Sequence, residues 1–563
     1  MIQKIFLVAL LFFSLASCAS QQMQQIKTHE DAMPSGDAYY LSILGYEAEK
    51  EGRWEDALEY YRQALKTDPS SAYLKTQMGY ILLRTGKVTD SIQLGEDIIR
   101  EHPGYLPALL LLGELYNSQR RADDALRIYE KILAIDPEHQ EAMLFISGIY
   151  AFQKEYDKAV DFLEKILIKH PDNILALYYL GSINTEKGDV DKAAEYFLAA
   201  INLKPNFDAA YLSLGLISEI KKDNVKAEEY YSRAIAFNPH NLQARDRLAQ
   251  LYVRQKETDK AIKQFQKISI HMPANIDIHT RLGFLYFEDN QFGKAIEEFR
   301  IALESRPDTP SIRYYLAIAL EQIGRTDEAI YELKKILLHD PKNLSVFLHL
   351  GYLFSKLKRD DEAVAIYEEI LTFEKNNAEV YLYLAVTLIQ KKEFKKAEAL
   401  LRDTLTRFSD HDDLNFNLAI LLEKTGRYDE MVIHLKKVIE VNPKHADALN
   451  YLGYSYAEKG VHLEEALSLI KRALDLKPDS GYIMDSLGWI YFKMGRNDEA
   501  LKTLLKASEL VKEDPVIFEH LGDTYSSQGI KDKAREYYLK SLAQDEKEEG
   551  LKERVQQKLR DLQ

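Results

Sequence analysis

Small and apolar residues recur along the chain with a period of 34 residues, and a proline closes most of the periods. Nine prolines follow one another at this interval: Pro69, Pro103, Pro137, Pro171, Pro205, Pro239, Pro273, Pro307 and Pro341. Lys375 and Ser409 occupy the next two positions of the series, and Pro443 restores it. A fixed period of this size predicts stacked supersecondary units.

Within each period the apolar positions predict a pair of α-helices. Residues 276–309 show the pattern, with Gly283, Ala295, Phe299 and Pro307 at the eighth, twentieth, twenty-fourth and thirty-second places. Gly or Ala at the eighth place and Ala at the twentieth allow two antiparallel helices to approach closely, and an aromatic residue or Leu at the twenty-fourth fills the space beside them. Proline cannot continue a helix, so the second helix is expected to end before it.

Fifteen contiguous periods are predicted over residues 38–548. The thirteenth, 446–480, carries one extra residue. The second, 72–105, departs from the pattern with Ser91 and Gly95, and the twelfth has Met431 at the twentieth place. Since one helix pair cannot bury its apolar face alone, stacking must supply the core.

A last helix is predicted within residues 549–563. One stripe of this helix is apolar, formed by Leu551, Val555, Leu559 and Leu562. We expect this stripe to lie on the fifteenth period and to cap the stack.

The period resembles the tetratricopeptide repeat, and the resemblance covers the chain from residue 38 to residue 548. It implies an all-α fold, a right-handed superhelical solenoid of about fifteen helix-turn-helix repeats. In that family the first helix of each repeat lines a concave groove through roughly its second, fifth, ninth and twelfth places. Members that clamp the carboxylate tails of heat-shock chaperones carry Asn at the ninth place, and no ninth place here is Asn.

Apolar and aromatic side chains dominate the fifth and ninth places of repeats eight to fourteen, which predicts a groove for a protein or peptide partner. The candidate residues are Phe284, Tyr314, Ile318, Leu348, Tyr352, Leu382, Phe416, Ile420, Tyr454 and Trp489. Exposed apolar strips on soluble proteins usually mark interaction sites. The other interpretation is that these side chains pack against neighbouring repeats and expose little surface.

The N-terminal residues follow a different pattern. Ile5 to Leu15 are apolar except for Ser14. This run is shorter than the about 20 residues that a membrane-spanning helix needs, and it is typical of the apolar segment of a secretory signal peptide. An ordinary signal peptide cleaved near Ala16 is one interpretation of this segment.

The four residues Leu15-Ala16-Ser17-Cys18 favour a second interpretation, because they resemble the lipobox of bacterial lipoproteins. The resemblance implies a signal peptide over residues 1–17 and a lipidated Cys18 that begins a linker over residues 18–37. Ala19 follows the cysteine, and by the sorting rule of that class it favours the outer membrane of a Gram-negative envelope. Cys18 is the only cysteine of the chain, which excludes an intramolecular disulfide.

Charge and motifs argue against several classes of function. The net charge is −15, whereas a nucleic-acid-binding protein needs a basic footprint. The sequence has no phosphate-binding loop and no HExxH motif, and the repeats leave no room for a catalytic domain. We therefore expect no catalytic residue, no metal, no cofactor and no nucleic-acid partner.

Three stretches invite a chemical interpretation, and a structural one is favoured for each. Gly453 to Ala457 resembles a nucleophile elbow but lies inside a predicted helix, whereas an elbow needs a strand, a turn and a helix. Glu519, His520 and Asp523 are interpreted as ordinary charges on a helix face, because no converging partner ligand is found. Residues 409–413 lie between helices, where Ser and Asp are expected to cap the next helix. Histidines near repeat ends, such as His102, His170 and His339, are expected at helix C-termini.

Together these features favour a non-enzymatic scaffold tethered to the bacterial envelope, for assembly or operation of a pilus, secretion or polysaccharide-export machine. Two other hypotheses remain open at this point. One is a periplasmic holdase chaperone for outer-membrane or secreted clients, and the other is a glycan-binding solenoid that uses the aromatic groove.

Overall fold

The computed structural model describes residues 36–544 and 550–562. Every regular element within these residues is an α-helix, and there are 31 of them. The predicted signal peptide, Cys18 and nearly all of the linker lie outside the described residues. The predicted all-α class with helix-turn-helix repeats is confirmed.

The chain forms two compact units, Met1–Leu285 and Tyr286–Gln563. The helices of the first unit are α1 (Asp37–Lys50), α2 (Trp54–Thr67), α3 (Ala72–Arg84), α4 (Val88–Glu101), α5 (Leu106–Ser118), α6 (Ala122–Ile135), α7 (Gln140–Phe152), α8 (Tyr156–Lys169), α9 (Ile174–Lys187), α10 (Val190–Leu203), α11 (Asp208–Ile220), α12 (Asn224–Phe237), α13 (Leu242–Arg254) and α14 (Thr258–His271). Helix α15 (Ile276–Glu288) contains the division between the units.

Sixteen helices follow in the second unit. They are α16 (Phe292–Ser305), α17 (Pro310–Gln322), α18 (Thr326–His339), α19 (Leu344–Lys356), α20 (Asp360–Phe373), α21 (Ala378–Gln390), α22 (Phe394–Arg407), α23 (Asp412–Lys424), α24 (Tyr428–Val441), α25 (Ala446–Lys459), α26 (Leu463–Leu476), α27 (Gly481–Lys493), α28 (Asn497–Leu510), α29 (Pro515–Ser527), α30 (Lys531–Leu542) and α31 (Leu551–Asp561). Within each unit, the extensive helix contacts join neighbouring or next-but-one helices of the described chain, as a solenoid requires.

The two helices of a repeat run antiparallel. In the seventh repeat, Arg245 near the start of α13 donates to Gln264 in the middle of α14 at 3.0 Å. At the other end of the pair, the ammonium group of Lys260 lies 5.0 Å from the ring centroid of Tyr252. The turn between the helices places a residue in the left-handed region in each repeat, whether it is Gly (Gly188, φ 85°) or not (Lys256, φ 61°).

Several first helices begin at a side-chain cap, and the capping residues were only partly predicted. Asn173 accepts a hydrogen bond from the N–H of Ala176 at 2.9 Å, as expected of an N-cap. The expectation that Ser and Asp of residues 409–413 cap α23 is wrong, because the imidazole of His411 accepts from the N–H of Leu414. His139 and His445 cap α7 and α25 in the same way.

The three histidines named as examples of helix C-termini follow the prediction. His102 and His170 are the C-cap residues of α4 and α8. His339 is the last residue of α18. A protonated imidazole at these positions complements the partial negative charge of the helix C-terminus.

The second repeat keeps its packing although it lacks the usual residues. Ser91 takes the place of Ala and donates to the carbonyl oxygen of Gly79 at 2.7 Å, which satisfies its buried hydroxyl. Leu112 of the next repeat fills the space that an aromatic residue at position 95 would take, since a Cβ on Gly95 would stand 2.8 Å from it. Stacking therefore compensates for a weak repeat.

Helix α31 covers the last repeat. Leu551, Val555 and Leu562 are buried, and they pack with Ala534 and Tyr538 of α30. The apolar face of the fifteenth repeat is thereby removed from water. Among the described helices, none is long and apolar enough to cross a bilayer.

Candidate interaction surface

Nine of the ten predicted groove residues belong to the second unit, where they lie on the first helices of repeats nine to fourteen. Most are half-buried: Tyr314, Ile318, Leu348, Phe416, Ile420 and Tyr454. Tyr352 is exposed, with 51% of its surface accessible. Phe284, also half-buried, belongs to the first unit. The exposed Tyr352 is the centre of the candidate surface.

A polar cluster holds the surroundings of Tyr352 in place. The imidazole of His349 and the ammonium group of Lys356 both lie 2.9 Å from carboxylate oxygens of Glu321. Burial would raise the pKa of Glu321, but these two hydrogen bonds outweigh it and the pKa is lowered. Lys356 also lies 5.6 Å from the ring centroid of Tyr352.

Aromatic rings extend this surface along the stack. The ring of Tyr314 lies 5.6 Å from His349, which in turn lies 6.4 Å from the ring of Tyr352. Ile318 and Leu348 are half-buried residues of the same two first helices, α17 and α19. We call Tyr314, Ile318, Leu348, His349 and Tyr352 the aromatic surface.

Phe416 is less available to a partner than Tyr352. Its ring packs 4.8 Å from His445 and 6.0 Å from Tyr451 of the next repeat. The hydroxyl of Tyr451 is itself bound to Glu423. Contacts between successive first helices therefore use much of this ring, as the packing interpretation of the groove predicted.

The prediction that Leu382 and Trp489 are exposed groove residues is wrong. Leu382 is 8% exposed, and it lies on α21, which packs directly against the next first helix, α23. Trp489 is 6% exposed, its ring stacks on His520 at 3.9 Å, and its N–H is bound to Glu458. Both side chains fill the contact between successive repeats and belong to the core.

Burial of Trp489 accompanies a network of buried charges that was not predicted. His520 lies beneath the indole ring and is hydrogen-bonded to Asp485 at 2.9 Å. Burial lowers the pKa of His520, but the charge and hydrogen bond of Asp485 outweigh it, so the pKa is raised. The interpretation of Glu519 and His520 as ordinary surface charges is therefore wrong, because both are buried.

The C-terminal helix completes this network. Arg554 makes two hydrogen bonds to the carboxylate of Glu519, at 2.8 and 2.7 Å. Lys558 joins Glu519 at 2.7 Å and Asp523 at 2.5 Å. Arg554 and Lys558 stand four residues apart on the last helix, and this spacing is the sequence signal that could have predicted the ion pairs. The apolar stripe predicted only the apolar contact.

Metal-ligating side chains do not converge within the described residues. No group of three or more His, Cys, Asp or Glu side chains in this part of the chain could hold a metal ion. Ser455, the nucleophile of the elbow-like stretch, is buried inside α25, and its hydroxyl lies 4.0 Å from the sulfur of Met431. The serine is a packing residue.

Family models match this chain over most of its described length. A model described as "Tetratricopeptide repeat" matches residues 345–551. A model of the N-terminal ARM repeat of tetratricopeptide repeat protein 21 matches residues 49–277, and one of the N-terminal TPR repeats region of Psidin matches residues 282–403.

One curated relative is the TPR repeat-containing protein PA4667 of Pseudomonas aeruginosa. It is 38% identical over 81 residues, which is 14% of this chain and 14% of the relative. The chain therefore spans about one seventh of the length of the curated relative it matches.

Three solved structures that the chain matches have low sequence identity and low TM-scores. Cut9 with Hcn1 of the APC/C matches 92% of this chain and 98% of its own, with 15% identity and a TM-score of 0.36. Yeast Tom70 matches 88% and 96%, with 15% identity and a TM-score of 0.34. MamA matches 28% of this chain and 91% of its own, with 28% identity and a TM-score of 0.26.

Proposed function

We propose, from the premise that this chain belongs to the tetratricopeptide repeat (TPR) proteins, that it is a non-catalytic scaffold tethered to the bacterial envelope. It binds a protein partner through the aromatic surface of its second unit and serves the assembly or operation of an envelope machine. The machine is of the class that includes pili, secretion systems and polysaccharide exporters.

The observation that carries the proposal is the environment of Tyr352. Its ring is exposed at 51%, while the Glu321, His349 and Lys356 cluster beneath and beside it is fixed by hydrogen bonds. A rigid, exposed aromatic ring has little conformational entropy to lose on binding, and such residues often anchor interfaces. Half-buried Tyr314, Ile318 and Leu348 extend the apolar area on which a partner segment could lie.

Sequence features support the tether. Leu15-Ala16-Ser17-Cys18 follows the apolar run Ile5–Leu15, and Cys18 has no other cysteine to pair with. Several acyl chains on one cysteine bind a bilayer firmly, whereas one chain binds it only marginally. Ala19 after the cysteine favours the outer membrane as the location.

Site-specific photo-crosslinking tests the partner surface. A photoreactive phenylalanine analogue replaces Tyr352 in one variant and Tyr331 in a matched control. Tyr331 is 59% exposed, but it lies on a second helix, α18. We expect one protein to be captured at position 352 and not at position 331. Capture of many unrelated unfolded clients at position 352 would instead indicate a holdase chaperone.

Fractionation tests the tether separately. The Cys18→Ala variant should leave the membrane fraction or accumulate as unprocessed precursor, whereas the natural protein should require detergent for release. Membrane association of Cys18→Ala that still requires detergent would contradict the lipid anchor and leave the partner surface unaffected.

A further inference from the structure

Two carboxylates of the first unit lie on successive first helices, and no Lys or Arg of the described chain forms an ion pair with either. Glu114 stands at the ninth place of α5 and is half-buried, and Glu141 stands at the second place of α7 and is exposed. No hydrogen bond or ion pair joins either carboxylate to another residue of the described chain. Both carboxylates therefore remain available to a ligand.

The charge of Glu141 acts on Glu114, while the charge of His139 acts on Glu141 and opposes the effect of its burial. Burial, and then the charge of Glu141, raise the pKa of Glu114 to about 7. Burial also raises the pKa of Glu141. A cation placed between them would remove the repulsion and favour the ionised form of both groups.

An unsatisfied hydroxyl beside the carboxylates provides an independent sign of an incomplete site. The hydroxyl of Tyr129 is fully buried and has no hydrogen-bond partner among residues 36–544 and 550–562. It lies against Gly113, the residue before Glu114, since a Cβ on Gly113 would stand 3.0 Å from it. After burial, the charges of Glu114 and Glu141 are the largest influences on its pKa, which they raise. The hydroxyl thus lies next to the turn of α5 that carries Glu114.

The equivalent tyrosines of the sixth and fifteenth repeats have an acceptor, whereas the hydroxyl of Tyr61 in the first repeat, like that of Tyr129, has none among the described residues. Tyr231 donates to Glu219 at 2.6 Å. Tyr538 donates to Asp523 at 2.6 Å, and Asp523 also binds Lys558. In the third repeat the tyrosine lacks an acceptor and the carboxylates lack a cation, although the fifteenth repeat supplies both. A buried polar group without a partner is costly, so its presence favours a ligand.

Residues beside the two carboxylates leave space that the side chain of a ligand could occupy, and aromatic rings border this space. Gly148, at the ninth place of α7, has no heavy atom within 4 Å of the position that a Cβ would take. Tyr80, at the ninth place of α3, is half-buried, and burial and the charges of Glu114 and Glu141 raise its pKa. The ring of Phe145 stacks on Tyr129 at 5.0 Å. Aromatic rings beside carboxylates suit the alkyl stem and the charged head of a basic side chain.

We propose that Tyr80, Glu114, Tyr129 and Glu141 form an acidic pocket that binds a lysine or arginine side chain from an extended basic segment of a protein partner. This inference rests on the proposed scaffold function and adds the chemistry of one contact in the first unit. A divalent metal is a poorer occupant, since the described residues offer no group of three metal-ligating side chains. Two carboxylates match the donors of an ammonium or guanidinium group.

Binding of a basic peptide tests the pocket against diffuse attraction to a chain of net charge −15. The probe is a fluorescent twelve-residue peptide of alternating lysine and glycine. The full chain is compared with Glu114→Gln/Glu141→Gln and with Glu130→Gln/Glu164→Gln. The control removes the same two charges from exposed positions on the second helices of the same repeats, α6 and α8. Glu141→Gln alone, at an exposed site, covers the case in which the double variant folds poorly.

We expect the pocket variant to weaken peptide binding by about tenfold or more, and the control to change it by about twofold or less. Equal weakening in both variants, or tight binding of spermine in place of the peptide, would overturn the pocket as a protein-binding site. So would a change of oligomeric state in the pocket variant, which would make a second copy of the chain the occupant. Each of these outcomes leaves capture at position 352 intact, so the scaffold proposal is judged separately.

Discussion

Gly351 lies directly against the ring of Tyr367. A Cβ atom at position 351 would stand 2.5 Å from Cε1 of Tyr367, a separation that side chains do not tolerate. Both residues are buried, one on each helix of the tenth repeat. In this repeat the close contact leaves no room for a larger residue at the eighth place while Tyr367 holds the twenty-fourth.

Other repeats combine a larger residue at the eighth place with a smaller one at the twenty-fourth. The buried pairs are Ala317 with Leu333, Ala385 with Leu401 and Ala419 with Leu435. We expect Gly351→Ala to cost about 1–3 kcal/mol of unfolding free energy, because it overpacks the interface. In Gly351→Ala/Tyr367→Leu the loss should be smaller than the sum of the two single losses, in urea unfolding followed by circular dichroism. Additive losses would contradict the coupling.

The sequence predicts those features of the fold that depend on positions repeated in every period. Helix pairs, their spacing and the close approach at positions such as Gly351 follow from a period that recurs fifteen times. The burial of Trp489 could not be predicted from the period, because it depends on His520 and Asp485, which are not part of the repeated pattern. Nor was the capping role of His411 predicted, although His139 and His445 cap helices from the same last place of their repeats, because histidine is not among the usual N-cap residues. The contacts of Trp489 are made once in the described chain and required the structure.

The histidine cap of α25 contributes to stability. The Nδ1 atom of His445 accepts a hydrogen bond from the N–H of Ala448 at 3.1 Å. We expect His445→Ala to cost about 1 kcal/mol and His445→Asn to recover most of it, because Asn is a good N-cap. The matched control is His462→Ala, since His462 begins α26 without a side-chain cap bond. Hydrogen exchange of the Ala448 amide should accelerate in His445→Ala only; equal acceleration in the control would contradict the cap.

The C-terminal helix is held by charge as well as by apolar contact. Arg554→Met removes two hydrogen bonds and one positive charge from the carboxylate of Glu519, which stays buried. The free energy of unfolding should fall by about 2 kcal/mol or more. Arg560→Met is the control, because within the described residues Arg560 binds only Gln557 of its own helix. Protease sensitivity of residues 551–562 should rise in Arg554→Met and stay unchanged in Arg560→Met. The same sensitivity in both variants would show that apolar contacts alone hold the helix.

The pH dependence of this contact has a definite sign. Burial raises the pKa of Glu519, but Arg554 and Lys558 outweigh it and lower the pKa below its ordinary value of 4.5. A group with a lowered folded-state pKa stabilises the fold above its unfolded pKa and loses that contribution as the pH falls through the folded value. We therefore expect protease sensitivity of the C-terminal helix to rise below about pH 4.5 in the natural protein. Sensitivity that is constant down to the folded-state pKa would contradict the ion pairs.

The contribution of Glu114 to stability should depend on pH with the opposite sign to that of Glu519. Burial and Glu141 raise its pKa to about 7, so folding is favoured below its unfolded pKa and this contribution is lost as the pH rises through about 7. Glu114→Gln should therefore raise the melting temperature at pH 8 and have little effect at pH 4. The Glu130→Gln control, at an exposed site, should shift it little at either pH. Equal shifts of Glu114→Gln at both values would contradict the buried carboxylate.

The claim that the second unit binds a partner through its aromatic surface is tested most directly by the affinity of the crosslinked partner for two variants. Tyr352→Ala removes an exposed ring of the aromatic surface, and Tyr331→Ala removes an equally exposed ring of a second helix. An aromatic anchor often contributes about 2 kcal/mol or more, so Tyr352→Ala should raise the Kd by about tenfold or more. Tyr331→Ala should leave the Kd unchanged, and neither variant should lower the melting temperature appreciably. A Kd that is the same for both variants and the natural protein would contradict the account and place the partner elsewhere.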